Sequence, residues 1–270
     1  AADRRRGFAP VGFPASLPSR YLLPSVRGRP RQTAAVARPV QPLIFLVAAI
    51  AGAGLPPAVA NPVINEIFYH EDHGLNPENA LAEWIEFHNP TPSAMSIAGW
   101  SLTRGVSFTF PPNASIPANG FVVVAADVAT FNTAHPGVDN GTNIFGPWTG
   151  RLRNSGETIE LSDATGTPAD RVKYADDGDW GVRTRGPMNF GHEGWAWDAP
   201  HDGGGASLEL MNPALSNNEG QNWSPSAAPG GSPGAPNSAA STDIPPMILN
   251  VRHWPVIPPS SDPIVFTAEF

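Results

Sequence analysis

The 270 residues include 27 Gly and 32 Pro with no fixed triplet period, a frequency of breakers that argues against long helices and for many short strands joined by turns. There is no Cys, so disulfides, thiol catalysis and cysteine-based zinc sites are excluded, while 41% hydrophobic residues suffice for a core. Residues 1–60 hold eight Arg against one Asp, whereas 61–270 hold eight basic and 23 acidic residues, a balance that repels phosphate backbones and argues against a nucleic-acid partner.

Residues 1–42 are rich in Arg, Pro and Ala and are expected to have no fold of their own, as a basic leader. Either they form an unusually long basic region ahead of a signal peptide, or the chain is read from upstream of its true start; an organelle transit peptide is a further alternative. Residues 43–60 follow with an apolar run from Leu43 to Leu55, too short to cross a bilayer as an ordinary helix, and then Ala58-Val59-Ala60, a small-x-small cleavage signature. The expectation is a signal peptide cleaved near Ala60, and a mature chain without a transmembrane segment that is secreted or held at the cell surface. A short apolar segment packed on the domain is the alternative.

From Asn61 the pattern changes to short alternating runs bounded by turn residues. Strands are predicted over Pro62–Tyr69, Glu83–Asn89, Gly99–Arg104, Ser107–Phe110, Phe121–Asp127, Thr158–Asp163, Asp170–Asp176 and Ala206–Leu210. Within "EWIEFHN", alternation puts Ile85 and Phe87 on one face with Trp100 and Leu102, and Trp84, Glu86 and His88 on the other, outward one. Eight such strands suggest a sandwich or barrel. The Ser-, Pro- and Gly-rich stretch Ser224–Thr242 reads as the end of the domain running into a linker. The predicted domain spans 61–237, the linker 238–245, and residues 246–270 resume strand patterning as the start of a second, truncated β domain.

The ordered blocks "VINEIFY", "EWIEFHNPT", "IAGWSLTRGVSFTFPPNASIPANGFVVVAAD", "SGETIELSDATG" and "DRVKY" resemble the lamin tail domain family. The resemblance covers roughly Pro62 to Asn237 and implies an all-β, immunoglobulin-like sandwich. Its closing "SLELMNP…NW…GSPGAPN" looks like the bacterial secreted type, in which such domains sit beside further modules. The acidic balance and the export signal depart from nuclear lamins, so lamina, chromatin and DNA roles are not expected.

Several polar groupings are candidate chemistry. Glu66 and Glu86 on adjacent strands would repel each other unless a cation, Arg104 or Lys173 lay beside them; the alternative is a solvated outer face. Asp176 and Asp179 in "DDGDW" are candidate calcium contacts, although no complete calcium-loop pattern is present. "YHEDH" offers His70 and His73, which with Glu66 and Glu86 could serve a metal-dependent hydrolase, or belong to a plain polar loop. In Gly186–Gly205, Phe190, Trp195 and Trp197 stand among glycines and suit either binding of a protein or glycan at the cell surface or capping of an open end of the sandwich. The expected function is therefore non-catalytic adhesion, binding or domain positioning, with an accessory domain of a larger extracellular enzyme as the alternative, no catalytic residue assigned and calcium as the one candidate cofactor.

Overall fold

The computed structural model describes residues 61–71, 74, 78–260 and 263–270. The basic leader, the signal-peptide segment and His73 lie outside the described residues.

The first seven strands are β1 (Val63–Phe68), β2 (Trp84–His88), β3 (Met95–Ser96), β4 (Ser101–Arg104), β5 (Val106–Thr109), β6 (Ser115–Ile116) and β7 (Phe121–Ala125). Helix α1 (Val128–Ala134) follows, started by Asp127, whose carboxylate accepts from the Thr130 N–H at 2.8 Å. Then come β8 (Ile144–Phe145), β9 (Thr149–Gly150), β10 (Thr158–Ser162), β11 (Pro168–Lys173), β12 (Val182–Asn189) and β13 (His192–Asp198). The last four are β14 (Leu208–Leu210), β15 (Trp223–Pro225), β16 (Leu249–Trp254) and β17 (Val265–Glu269).

These make a six-stranded sheet in the order β15-β14-β1-β2-β7-β8 and a five-stranded sheet in the order β11-β10-β4-β5-β9. Three two-stranded pairs complete the pattern: β3 with β6, β12 with β13 and β16 with β17. The predicted strands all appear, each within a few residues of its expected bounds, because alternation and turn residues agree along this part of the chain. Ile64, Ile85, Phe87 and Val124 from one sheet meet Leu102, Ile159, Leu161 and Val172 from the other in a single apolar core. The fold is an immunoglobulin-like β-sandwich.

The six-stranded sheet has a second buried face. In β1, Ile64 opposes Phe87 and Glu66 opposes Glu86, so Asn65 is an extra residue with no partner across the pair. This bulge resets the alternation, so that Ile64 and Ile67 point into the core while Glu66 and Phe68 share the outer face. There Phe68, Trp84, Val123 and Ala125 form a small apolar cluster beneath Phe131 of α1, with the Trp84 and Phe131 rings edge to face at 6.0 Å. The expectation that Trp84 faces solvent is thereby corrected: the helix covers it, and it is fully buried.

The Ser-, Pro- and Gly-rich end of the predicted domain is attached to the sheet, and the attachment runs on into the first residues of the linker predicted over 238–245. Residues 230–241 lie on the molecule and bond to it as far as Ser241, whose N–H donates to Met211 O at 3.0 Å. Apolar content is low here, but backbone N–H groups and hydroxyls supply the attachment. Residues 249–269 form the exposed hairpin of β16 and β17, and Gln221 exchanges hydrogen bonds with the Ile248 backbone at 2.9 and 3.1 Å.

Candidate functional site

Glu66, Glu86 and Glu209 stand side by side on β1, β2 and β14, with Glu66 directly opposite both of the others. All three are fully buried, which overturns the solvated outer face expected for Glu86. Cover comes from residues 230–239, which run across this glutamate seam. Glu66 Oε1 accepts from Ser207 Oγ at 2.5 Å and from the Ser232 N–H at 2.8 Å. Glu86 accepts from Asn65 Nδ2 at 2.8 Å and from the Gly234 N–H at 2.6 Å. Glu209 accepts from Ser232 Oγ and Ser238 Oγ, each at 2.7 Å, and from the Ala239 N–H at 2.8 Å. Asn237 ties the strap down further by donating to Asn65 O at 2.9 Å and Leu210 O at 2.8 Å.

Every one of these donors is neutral. Of the cations proposed to relieve Glu66 and Glu86, Arg104 instead faces Glu160 at 3.5 Å, and Lys173 lies on β11 opposite Thr158. Burial pushes the Glu66 and Glu86 carboxyls well above the ordinary value of 4.5, and the neighbouring glutamates push them further.

The other candidates are dispersed. His70 Nδ1 meets Asp202 Oδ1 at 2.5 Å, while its neighbour Tyr69 bonds His201 Nδ1 at 2.8 Å. His201 Nε2 lies 3.0 Å from Trp180 O; a carbonyl only accepts, so Nε2 carries the proton and Nδ1 takes the tyrosine hydroxyl. Burial lowers the pKa of this imidazole and so favours its neutral form. These pairs clamp residues 201–202 to the end of β1, so His70 is not brought to Glu66 or Glu86 as the hydrolase reading needs. Asp179 accepts from Gln221 Nε2 at 3.0 Å, and Asp176 lies near Tyr69 and His201. Among the described residues no three His, Cys, Asp or Glu side chains group as a metal site would require.

Sequence reasoning gave Glu83 no role, yet it is buried and accepts from the Leu152 N–H at 2.9 Å, with Arg151 Nε 3.4 Å away. Burial pushes its carboxyl up to about 8 against the opposing pull of that N–H and of Arg151.

The Gly186–Gly205 insertion, read as a loop, is mostly ordered as the ribbon of β12 and β13. Arg183 opposes Trp197 and Arg185 opposes Trp195, so the four side chains share one face. Arg185 lies over the Trp195 ring at 4.4 Å, and Arg183 over Trp195 at 4.9 Å and Trp197 at 5.7 Å. Half of each indole stays in solvent, so the tryptophans do not cap the sandwich. The two-residue turn is Phe190-Gly191 with φ of 50° and 80°, the geometry that ordinarily selects Asn-Gly. Phe190 thus occupies a backbone region unfavourable to bulky residues, and its ring is 96% exposed at the tip.

Among the described residues no helix is long and apolar enough to cross a membrane. The curated proteins searched contain no match to the chain. The family model described as Lamin Tail Domain matches residues 56–176, a span that holds β1 to β11 and so both central sheets except β14 and β15. Residues 56–176 are therefore recognised as a lamin tail domain.

Proposed function

We propose that this chain is a non-catalytic lamin tail module of an exported protein, of the bacterial secreted type, which holds a partner at the cell surface through the β12–β13 ribbon. The observation that carries this reading is Phe190: a left-handed backbone at a bulky residue costs about 1–3 kcal/mol, and the ring gains no packing in return. Strain without local compensation points to a use outside the domain. Beside the tip, indole faces suit the C–H faces of sugars and guanidinium groups suit carboxylates, so the chemistry favours an acidic glycan. Two of the eight basic residues in 61–270 are concentrated on this one face of an otherwise acidic chain.

The test is retention of the full chain on immobilised polygalacturonate, with neutral dextran as control. Binding should be selective for the acidic polymer, weaken with salt, and fall at least about tenfold in a Trp195→Ala/Trp197→Ala variant. Equal retention by the variant, or no retention of the parent chain, would refute the glycan reading.

A further inference from the structure

Under the strap three carboxyls lie side by side with only neutral donors to meet them. Ser232 Oγ lies 2.7 Å from Glu209 Oε1 and 3.5 Å from Glu66 Oε2, and a hydroxyl has one hydrogen to give. That hydrogen goes to the nearer oxygen, on Glu209, and the Glu66 Oε2 atom at 3.5 Å is left without a close donor from the strap. Like charges directly opposite across a sheet also repel, and here two such pairs share Glu66.

The groups that face the seam supply no compensating charge. From β1, β2 and β14 come the three glutamates with Asn65; β7 presents Val123 opposite Glu86, and β15 presents Ser224 opposite Glu209. The strap contributes the Ser232 and Ser238 hydroxyls, backbone N–H groups and Asn237. His135, at the end of α1, approaches Gly230, and burial lowers its pKa, favouring the uncharged imidazole. Among the described residues no Lys or Arg bonds to Glu66, Glu86 or Glu209.

The fit is close. Gly231 has φ of +81°, and a Cβ there would collide with Glu66 Oε1 and come within 2.8 Å of Ser207 Oγ. The strap backbone therefore rests on the carboxyls, at a distance that leaves no room for a hydration shell around a charged seam.

We infer that residues 230–239 form a proton-operated strap, closed over the sheet while the glutamate seam is protonated and released when the seam ionises. Ionisation would leave up to three adjacent carboxylates buried with neutral donors alone, and strap opening admits the water they need. The strands beneath are held by the sandwich core on their other face, so release uncovers the seam without dismantling the sheet.

The test is 13C-detected NMR relaxation of the full chain between about pH 5 and about pH 9, which follows backbone order without depending on amide exchange. Order parameters for 230–239 should fall from a rigid ~0.85 to below ~0.6 as pH rises, while those of β2 and β7 stay rigid. In a Glu66→Gln/Glu86→Gln variant the strap should hold its order across the same range. A parent strap that is equally rigid, or equally mobile, at both ends would overturn the inference. So would a variant that loosens with the same midpoint as the parent.

Discussion

The glutamate seam and the β12–β13 ribbon invert the usual placement of side chains. Three glutamates are sealed under a strap poor in apolar residues, while two tryptophans and a phenylalanine stand in solvent on a ribbon. In both regions the sequence offers alternation with mixed polar and aromatic residues; the difference is what the rest of the chain brings over them. Sheet faces are covered by whichever segment can satisfy them, and carboxyls call for N–H and O–H groups more than for hydrocarbon. The ribbon receives no such cover, and its face is held by cross-strand Arg–Trp stacking with an exposed Arg185–Glu193 ion pair beside it.

The contrast is sharpest for one substitution made in both places. Trp84→Ala empties a fully buried site beneath α1 and should cost about 3–5 kcal/mol in denaturant unfolding. Trp195→Ala should cost less than about 1 kcal/mol, since half the ring is already in water. Similar losses at the two sites would break the comparison. Next in size, Gly231→Ala forces a Cβ onto the Glu66 carboxyl at a left-handed position, and should lower stability by about 1–3 kcal/mol in the same assay.

The pH dependence has an unusual sign. A carboxyl whose folded pKa is raised contributes stability that is complete below its unfolded value of 4.5 and is lost as pH climbs through the folded value. Glu83, pushed up to about 8, acts in the same direction. Urea unfolding should therefore give a stability lower at about pH 9 than at about pH 5, by on the order of 1–3 kcal/mol. A stability that rises over that range would contradict the buried, protonated seam. The smallest expected effect is Phe190→Asn, which suits the turn and should stabilise the chain by about 0.5–1 kcal/mol while weakening retention on polygalacturonate.

Strand positions and the inward set Ile85, Phe87 and Leu102 were legible because they depend on local alternation and nearby turns. Asn89 was legible as the end of a strand, and its buried amide does more, donating to Ser93 O at 2.8 Å and Pro117 O at 2.9 Å. Helix α1 carried a readable signal in Asp127 followed by Thr130, which the preceding apolar strand overshadowed. The burial of Glu66 and Glu86 was not legible, because their cover lies some 150 residues further on in a stretch whose Gly, Ser and Pro resemble a linker. The β1 bulge was equally hidden, since "VINEIF" alternates acceptably with or without an extra Asn65. The ribbon escaped notice because its turn is Phe-Gly where Asn-Gly would have announced it.

The central claim is that the seam is buried and holds protons at neutral pH. It is tested most directly by a carboxyl-13C NMR titration of the full chain labelled at glutamate, from about pH 4 to about pH 10. The account predicts that Glu66 and Glu86 titrate as a coupled pair well above 4.5, with at least one proton retained at about pH 7. Titration of both Glu66 and Glu86 near 4.5 would contradict it.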